Sequence, residues 1–311
     1  MLVKTFVWLF LIIAVLSHPD ATFQYAYEGL YQWAAKMVPT LFPFMMISSI
    51  MVYSGADLEL GRMLSLPLKR VYQYSTYGLY AIFMGFFCGF PMGAKVVSEL
   101  CENNKLSKEE AVSLLGFCNN IGPAYFLGII IPILHACGYQ NTLPFLFGMY
   151  GIPAIYGIFL SRRFAKKQSA KVLPEKTQAD NTRERLSLTS CLKKACAENT
   201  QSLIMLGGYI TFTNAFRIFL DFFRFSDNIK RILSSFLEIM GGVQTVYTST
   251  LLPPQKILWI MTALCFSGIS CLIQTSSFLE KVHLPLISYV KNKVVITLIS
   301  FGYYALILYI L

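Results

Sequence analysis

Charge is what this sequence lacks. Only 14% of its 311 residues are Asp, Glu, Lys or Arg, where a soluble domain carries about a quarter. With 26 Lys/Arg and 16 Asp/Glu, a chain of this size cannot cover itself with the polar shell that water demands. Histidine is scarce as well, with His18, His135 and His283 the only three. No HExxH, nucleophile elbow or Walker motif occurs. A Ser267/His283 dyad is conceivable on paper, but its spacing sets the two at different depths. The eight cysteines contain no CxxC pair and no zinc-ligand spacing. Cys88, Cys118, Cys265 and Cys271 sit inside apolar runs, as small packing residues do. These absences exclude a soluble enzyme, a nucleic-acid-binding domain and a disordered tail. They leave no expectation of catalysis, metal or cofactor.

What is present is apolar: 55% hydrophobic residues, 15% aromatic and a mean hydropathy of +0.56. That composition describes a polytopic, all-α membrane protein. The formal charge of +10 then reads as loop Lys and Arg following the positive-inside rule, with membrane lipid as a neighbour and no nucleic acid.

The first segment, 1–17, joins Lys4 to a short apolar stretch. Its length suits a signal-peptide core or an uncleaved anchor, and the anchor is the preferred reading because the rest of the chain inserts by itself. Phe23, Tyr27, Leu30, Tyr31 and Ala34 recur at helical spacing, as in an interfacial helix. Residues 37–54 form a span bent by Pro39 and Pro43, and 55–75 read as a polar connection. Residues 77–88 are apolar but roughly twelve in number, about half a bilayer thickness. The run Gly89-Phe90-Pro91-Met92-Gly93 breaks them before 94–100 continues with Lys95 and Glu99 inside. Such a segment suits a re-entrant hairpin better than a simple span. Residues 111–136 are interrupted midway by Asn119-Asn120-Ile121-Gly122-Pro123, the pattern of a discontinuous helix. Residues 143–160 form a plain span.

Composition then changes. Residues 162–194 hold ten Lys/Arg against Glu175, Asp180 and Glu184, as in a flexible cytoplasmic linker. Beyond it the plan returns: a span at 199–220, an apolar stretch at 229–250 broken by Gly241-Gly242 with Glu238 just before, a stretch at 257–278 interrupted by Ser267-Gly268-Ile269-Ser270, a polar segment at 281–293, and a last span at 294–311. The predicted organisation is an anchor and interfacial helix (1–36), one repeat (37–161), the basic linker (162–194) and a second repeat (195–311). With both hairpins returning to their own side, only Lys36, Arg217, Arg224, Lys230, Arg231 and Lys256 of the 26 Lys/Arg fall opposite the linker. The repeats then enter with opposite polarity, as in secondary transporters built on inverted-topology repeats.

These interruptions also carry a likeness. Gly89-Phe90-Pro91-Met92-Gly93-Ala94-Lys95, then Leu106-Ser107-Lys108-Glu109-Glu110-Ala111, then Phe117-Cys118-Asn119-Asn120-Ile121-Gly122-Pro123, resemble the sporulation integral membrane protein YlbJ family. That family lies within the nucleoside-recognition (gate) group, which is similar to the core of concentrative nucleoside transporters. The likeness runs from about Leu30 to the C-terminus, with Glu238 to Gly242 as the second-half signature. It implies a carrier of dipicolinate across the outer forespore membrane. A nucleoside or neutral-solute carrier, or a non-transporting sporulation scaffold, stands as the alternative.

The residues themselves indicate a ligand class. A half-helix starting at Gly93 aims its N-terminus at mid-membrane, with Lys95 in its first turn, and a second N-terminus follows Pro123. Asn119, Asn120, Ser267 and Ser270 add neutral hydrogen-bonding groups. Together these suit a small anion such as an aromatic dicarboxylate. Glu238 suits a coupling H⁺ or Na⁺ or a gating role. Plainer roles compete. Lys95 could pair with Glu99 at i,i+4 or snorkel, Glu238 could pair with Lys95, and the asparagines could cap helix ends. Gly89, Pro91, Gly122, Pro123, Gly241 and Gly242 are the breaks, and the glycines allow close approach.

Overall fold

The computed structural model describes residues 2–170 and 187–310, so the central part of the basic linker, 171–186, falls outside it. The described residues form helices and no strands. In chain order, α1 is Leu2–Ser17, and α2, Pro19–Gln32, passes through a π-helical turn at Trp33–Met37 into α3, Val38–Ser54. Then follow α4 (Ala56–Leu68), α5 (Thr76–Cys88), α6 (Met92–Glu102) and α7 (Lys108–Leu115). Next come α8 (Pro123–Ala136), α9 (Leu143–Gln168) and α10 (Leu188–Leu220). The chain closes with α11 (Asp227–Leu237), α12 (Ile239–Tyr247), α13 (Pro253–Phe266), α14 (Gly268–Lys281) and α15 (Leu286–Ile310). Five stretches are long and apolar enough to cross a membrane: Pro19–Ser54, Leu143–Gln168, Leu188–Leu220, Pro253–Lys281 and Leu286–Ile310.

Local chemistry explains the ends and bends. Ser75, Ser107 and Ser187 cap α5, α7 and α10, each hydroxyl accepting the backbone N–H three residues on. The π turns at Trp33–Met37, Phe126–Ile130 and Phe147–Gly151 each end two residues before a proline: Pro39, Pro132 and Pro153. A proline ring clashes with the carbonyl four residues back and offers no N–H. Widening the preceding turn removes both conflicts while the helix continues.

Several elements differ from the sequence reading. The connection expected at 55–75 contains α4, because Leu60, Leu64 and Leu68 recur on one face and pack on the core. The interfacial helix expected at 23–34 is continuous with α3 and packs along α10. There Trp33 Nε1 donates to the Leu203 carbonyl (2.9 Å), and a Cβ on Gly207 would meet the Trp33 ring. The linker is shorter than expected, since helix extends through 162–168 and begins again at Leu188. The second hairpin breaks at Glu238 rather than at Gly241-Gly242, which lie in the first turn of α12. The break at Ser267 is a one-residue kink, with Ser267 in the left-handed region at φ 78°. Finally α15 starts at Leu286, which takes Lys293 out of the expected polar segment and into the helix.

Packing reverses the order of a soluble protein. Large apolar side chains face outward on the long helices, including Ile155, Phe159, Ile204, Leu298 and Leu306. Polar side chains are buried, including Ser49, Asn119, Asn199, Ser267, Thr275 and Lys293. An exposed apolar surface of that extent faces lipid. The interior has two apolar clusters, and neither coincides with one half of the chain. One joins α3–α7 to Leu203, Leu206, Phe278, Tyr289 and Ile296. The other joins residues 121–149 to Ile239, Val243, Met261, Leu264 and Tyr304.

Candidate functional site

Each half rests a helical turn on its own interrupted helix. In the first half α5 and α6 pack together, joined through Gly89, at φ 82°, and a cis Phe90–Pro91 bond. The glycines of this pair lie against the break between α7 and α8. A Cβ on Gly93 would stand 2.6 Å from the Cys118 carbonyl oxygen and 3.0 Å from the Asn119 Cα. One on Gly89 would stand 2.6 Å from the Gly122 Cα. Only glycine allows backbone to approach backbone this closely. In the second half α11 and α12 pack together with a single extended residue, Glu238, between them. Gly268, at the kink between α13 and α14, lies on that turn, where a Cβ would stand 2.9 Å from Ile239 Cγ1.

Beside the first break the halves meet in a buried polar cluster. Asn119 Nδ2 donates to the Tyr289 hydroxyl (2.9 Å) and to Thr275 Oγ1 (3.2 Å), reaching α15 and α14. Asn120 Nδ2 closes its own turn on the Phe117 carbonyl (2.6 Å), and its Oδ1 faces Lys293 Nζ at 3.4 Å. Ser267 approaches the Tyr289 hydroxyl without closing a hydrogen bond. Among the described residues Asn119 Oδ1, Ser267 Oγ and Ser300 Oγ are buried and close no hydrogen bond, with Ser300 lying beside the Cys265 thiol. The thiols of Cys118, Cys265 and Cys271 stand near the Lys293 ammonium. Gly93, Asn119, Asn120 and Ser267 thus gather where expected. Ser270 lies one turn into α14 and accepts from Gln274 Nε2 (3.0 Å).

Lys293 is the residue that sequence reasoning missed. It is 1% exposed. The signal was a helical stripe: Tyr289, Lys293, Ile296, Ser300 and Tyr304 recur every three or four residues and are all buried.

Lys95 lies elsewhere. Its ammonium bonds Glu99 Oε1 and the Ser49 hydroxyl (2.7 Å), while Ser49 donates to Glu99 and receives Asn199 Nδ2 (3.3 Å). This is the i,i+4 pairing, extended into a network that ties α6 to α3 and α10. Glu238 forms a third centre. Its carboxylate caps α12, accepting the N–H groups of Met240 (2.9 Å) and Gly241 (2.8 Å). Arg217 lies close by, bonded to Glu28 (2.8 Å) and stacked on the Tyr25 ring at 4.5 Å. Gly242 is held to glycine by the Ser235 backbone, whose Cα a Cβ there would overlap, whereas a Cβ on Gly241 would meet only the movable end of the Gln32 side chain (2.9 Å).

The chain is 25% identical over 308 residues to the sporulation integral membrane protein YlbJ of Bacillus subtilis (strain 168), covering 88% of this chain and 74% of the relative. That similarity supports assignment to the YlbJ family. With the five long apolar helices it makes the chain a multi-pass membrane protein. No family model matches the chain, and no solved structure does.

Proposed function

From its likeness to YlbJ, we propose that this chain is a sporulation membrane protein that carries a small organic anion, dipicolinate being the cargo the family resemblance implies. The observation that carries the proposal is the repeated contact between a short helix pair and an interrupted helix. Helix α5 has 13 residues, α11 has 11 and α12 has 9. At about 1.5 Å per residue none reaches across a hydrocarbon core of about 30 Å. We therefore read α5–α6 and α11–α12 as re-entrant hairpins dipping in from opposite faces, in two repeats of inverted topology.

On this reading Gly93, Asn119, Asn120 and Ser267 line the cargo site, Ser270 and Gln274 border it, and Lys95 fixes the first hairpin arm to its frame. The first hairpin turn meets its break as glycine against backbone and the second as Gly268 against the Ile239 side chain, small contacts from which the turns can lift and readmit water. Glu238 is placed to take a coupling H⁺ or Na⁺, since a carboxylate between two half-helices senses any motion of the hairpin. The test is uptake into proteoliposomes of labelled dipicolinate against uridine. Dipicolinate uptake supports the proposal, uridine uptake alone turns it into a neutral-solute carrier, and movement of neither leaves a scaffold. Cysteine accessibility across 89–93 and 238–242 tests the topology: each segment is expected to be labelled from one side only.

A further inference from the structure

We propose that Lys293 is the group that holds the negative charge of the cargo, an assignment that rests on the carrier reading above. A Lys ammonium has three N–H donors and no acceptor. Here it is buried, two turns into a helix long and apolar enough to cross the membrane, and among the described residues its one hydrogen bond is the 3.4 Å contact to Asn120 Oδ1. That distance lies beyond the usual range for N–H···O bonds. The other deeply buried lysines are matched by acids: Lys95 by Glu99 and Lys105 by Asp57. No carboxylate among the described residues pairs with Lys293. An isolated charge at such depth is strongly unfavourable and marks a functional position.

The surroundings define the missing partner. Asn120 Oδ1 is already directed at the ammonium. Near it stand the Tyr289 ring, with its centroid 6.0 Å from the ammonium nitrogen, and the thiols of Cys118, Cys265 and Cys271. The Ser267 and Ser300 hydroxyls, which close no hydrogen bond among the described residues, can donate to further oxygens. A carboxylate entering this cluster would complete the lysine's hydrogen bonds and cancel its charge in one step. An apolar ring beside the carboxylate would meet Cys118, Cys265 and Cys271. A neutral solute would leave the ammonium uncompensated, so the cluster selects for anions rather than nucleosides.

The full-length protein, purified in detergent, provides the test. Melting temperature is read for wild type, Lys293→Met, Lys293→Gln and Lys293→Arg, each alone, with dipicolinate and with its neutral diamide. Without ligand, Lys293→Met should melt no lower than wild type, because an unmatched buried charge has been removed. Dipicolinate should stabilise wild type, stabilise Lys293→Arg less, and bind Lys293→Met at least roughly 30-fold more weakly, as follows from leaving one charge of a buried pair unmatched. The diamide should stabilise none. Lys293→Gln keeps a donor for Asn120 and replaces the Met variant where that one does not fold. Equal stabilisation of the neutral variants and wild type by dipicolinate overturns the assignment, as does a wild type that no carboxylate stabilises. The carrier reading is decided separately by uptake: binding that depends on Lys293 without transport removes the carrier and keeps the site.

Discussion

At the scale of single residues, the glycines separate into those that are replaceable and those that are not. A Cβ on Gly85 would overlap the Cys118 carbonyl oxygen, whereas Gly208 has nothing within 4 Å of that position. Gly85→Ala should therefore destabilise by about 1–3 kcal/mol, the usual range for overpacking. Gly208→Ala should be neutral or stabilising by up to about 1 kcal/mol. Thermal unfolding in detergent checks both, and equal effects would contradict the close approach. The Lys105–Asp57 pair makes a second prediction. Asp57 is 0% exposed and lies 2.7 Å from the Lys105 ammonium, which also donates to the Val52 carbonyl (3.0 Å). Asp57→Asn leaves that ammonium unmatched and should cost about 3–5 kcal/mol. The double change Asp57→Asn with Lys105→Met should recover much of the loss, and a double variant no better than the single one would refute the pairing argument.

At the scale of elements, the turn between α11 and α12 is held by a polar cap, whereas the turn between α5 and α6 runs through Gly89 and Pro91 with no side-chain cap on α6. Glu238 accepts the N–H groups of Met240 and Gly241 in the first turn of α12, so Glu238→Ala should cost about 0.5–2 kcal/mol of stability. Glu238→Gln keeps one accepting oxygen but sets its NH₂ against the other backbone N–H, so it should lose less stability than Glu238→Ala and still fold. If the carboxylate also binds a coupling ion, the Gln variant should lose the dependence of uptake on pH or Na⁺ while keeping its fold. A Gln variant with wild-type coupling confines Glu238 to capping. The prolines act at the same scale. Pro39 and Pro153 lie inside long helices, and Pro132 inside the shorter α8, without ending them, because a π turn precedes each. Around Pro39 and Pro153 the widened turns preserve the length needed to cross the membrane.

At the scale of the whole molecule, the two halves share their interior. Residues 121–149 complete a cluster with α12, α13 and α15, while α10, α14 and α15 complete the cluster around α5 and α6. Neither half can bury its apolar faces alone. Severing the chain between residues 170 and 187 should give fragments that are unstable when expressed singly and that co-purify as a folded pair when expressed together. Independent stability of either fragment would show that the shared clusters are dispensable. Sequence alone was enough for the membrane class, the apolar core of each long helix though not its bounds, the short α5 and the break after Cys118. Each depends on apolar length or on Gly and Pro, whose effects on backbone are local. It also placed Asn119, Asn120, Ser267 and Gly93 near one another through the repeated plan. It misjudged α4, whose few apolar residues matter only because a core waits beside them, and it set the second hairpin's break at its glycines rather than at the capping carboxylate. Lys95 and Lys293 show the limit most clearly. Both are lysines near the edge of an apolar run. Helical spacing offers Glu99 to Lys95 and no acid to Lys293, but it does not say which of them is buried or what other helices bring to it. Those neighbours are set by how distant helices cross, so only the tertiary structure could add Ser49 and Asn199 to the Lys95–Glu99 pair and bury Lys293 with no acid from another helix among the described residues.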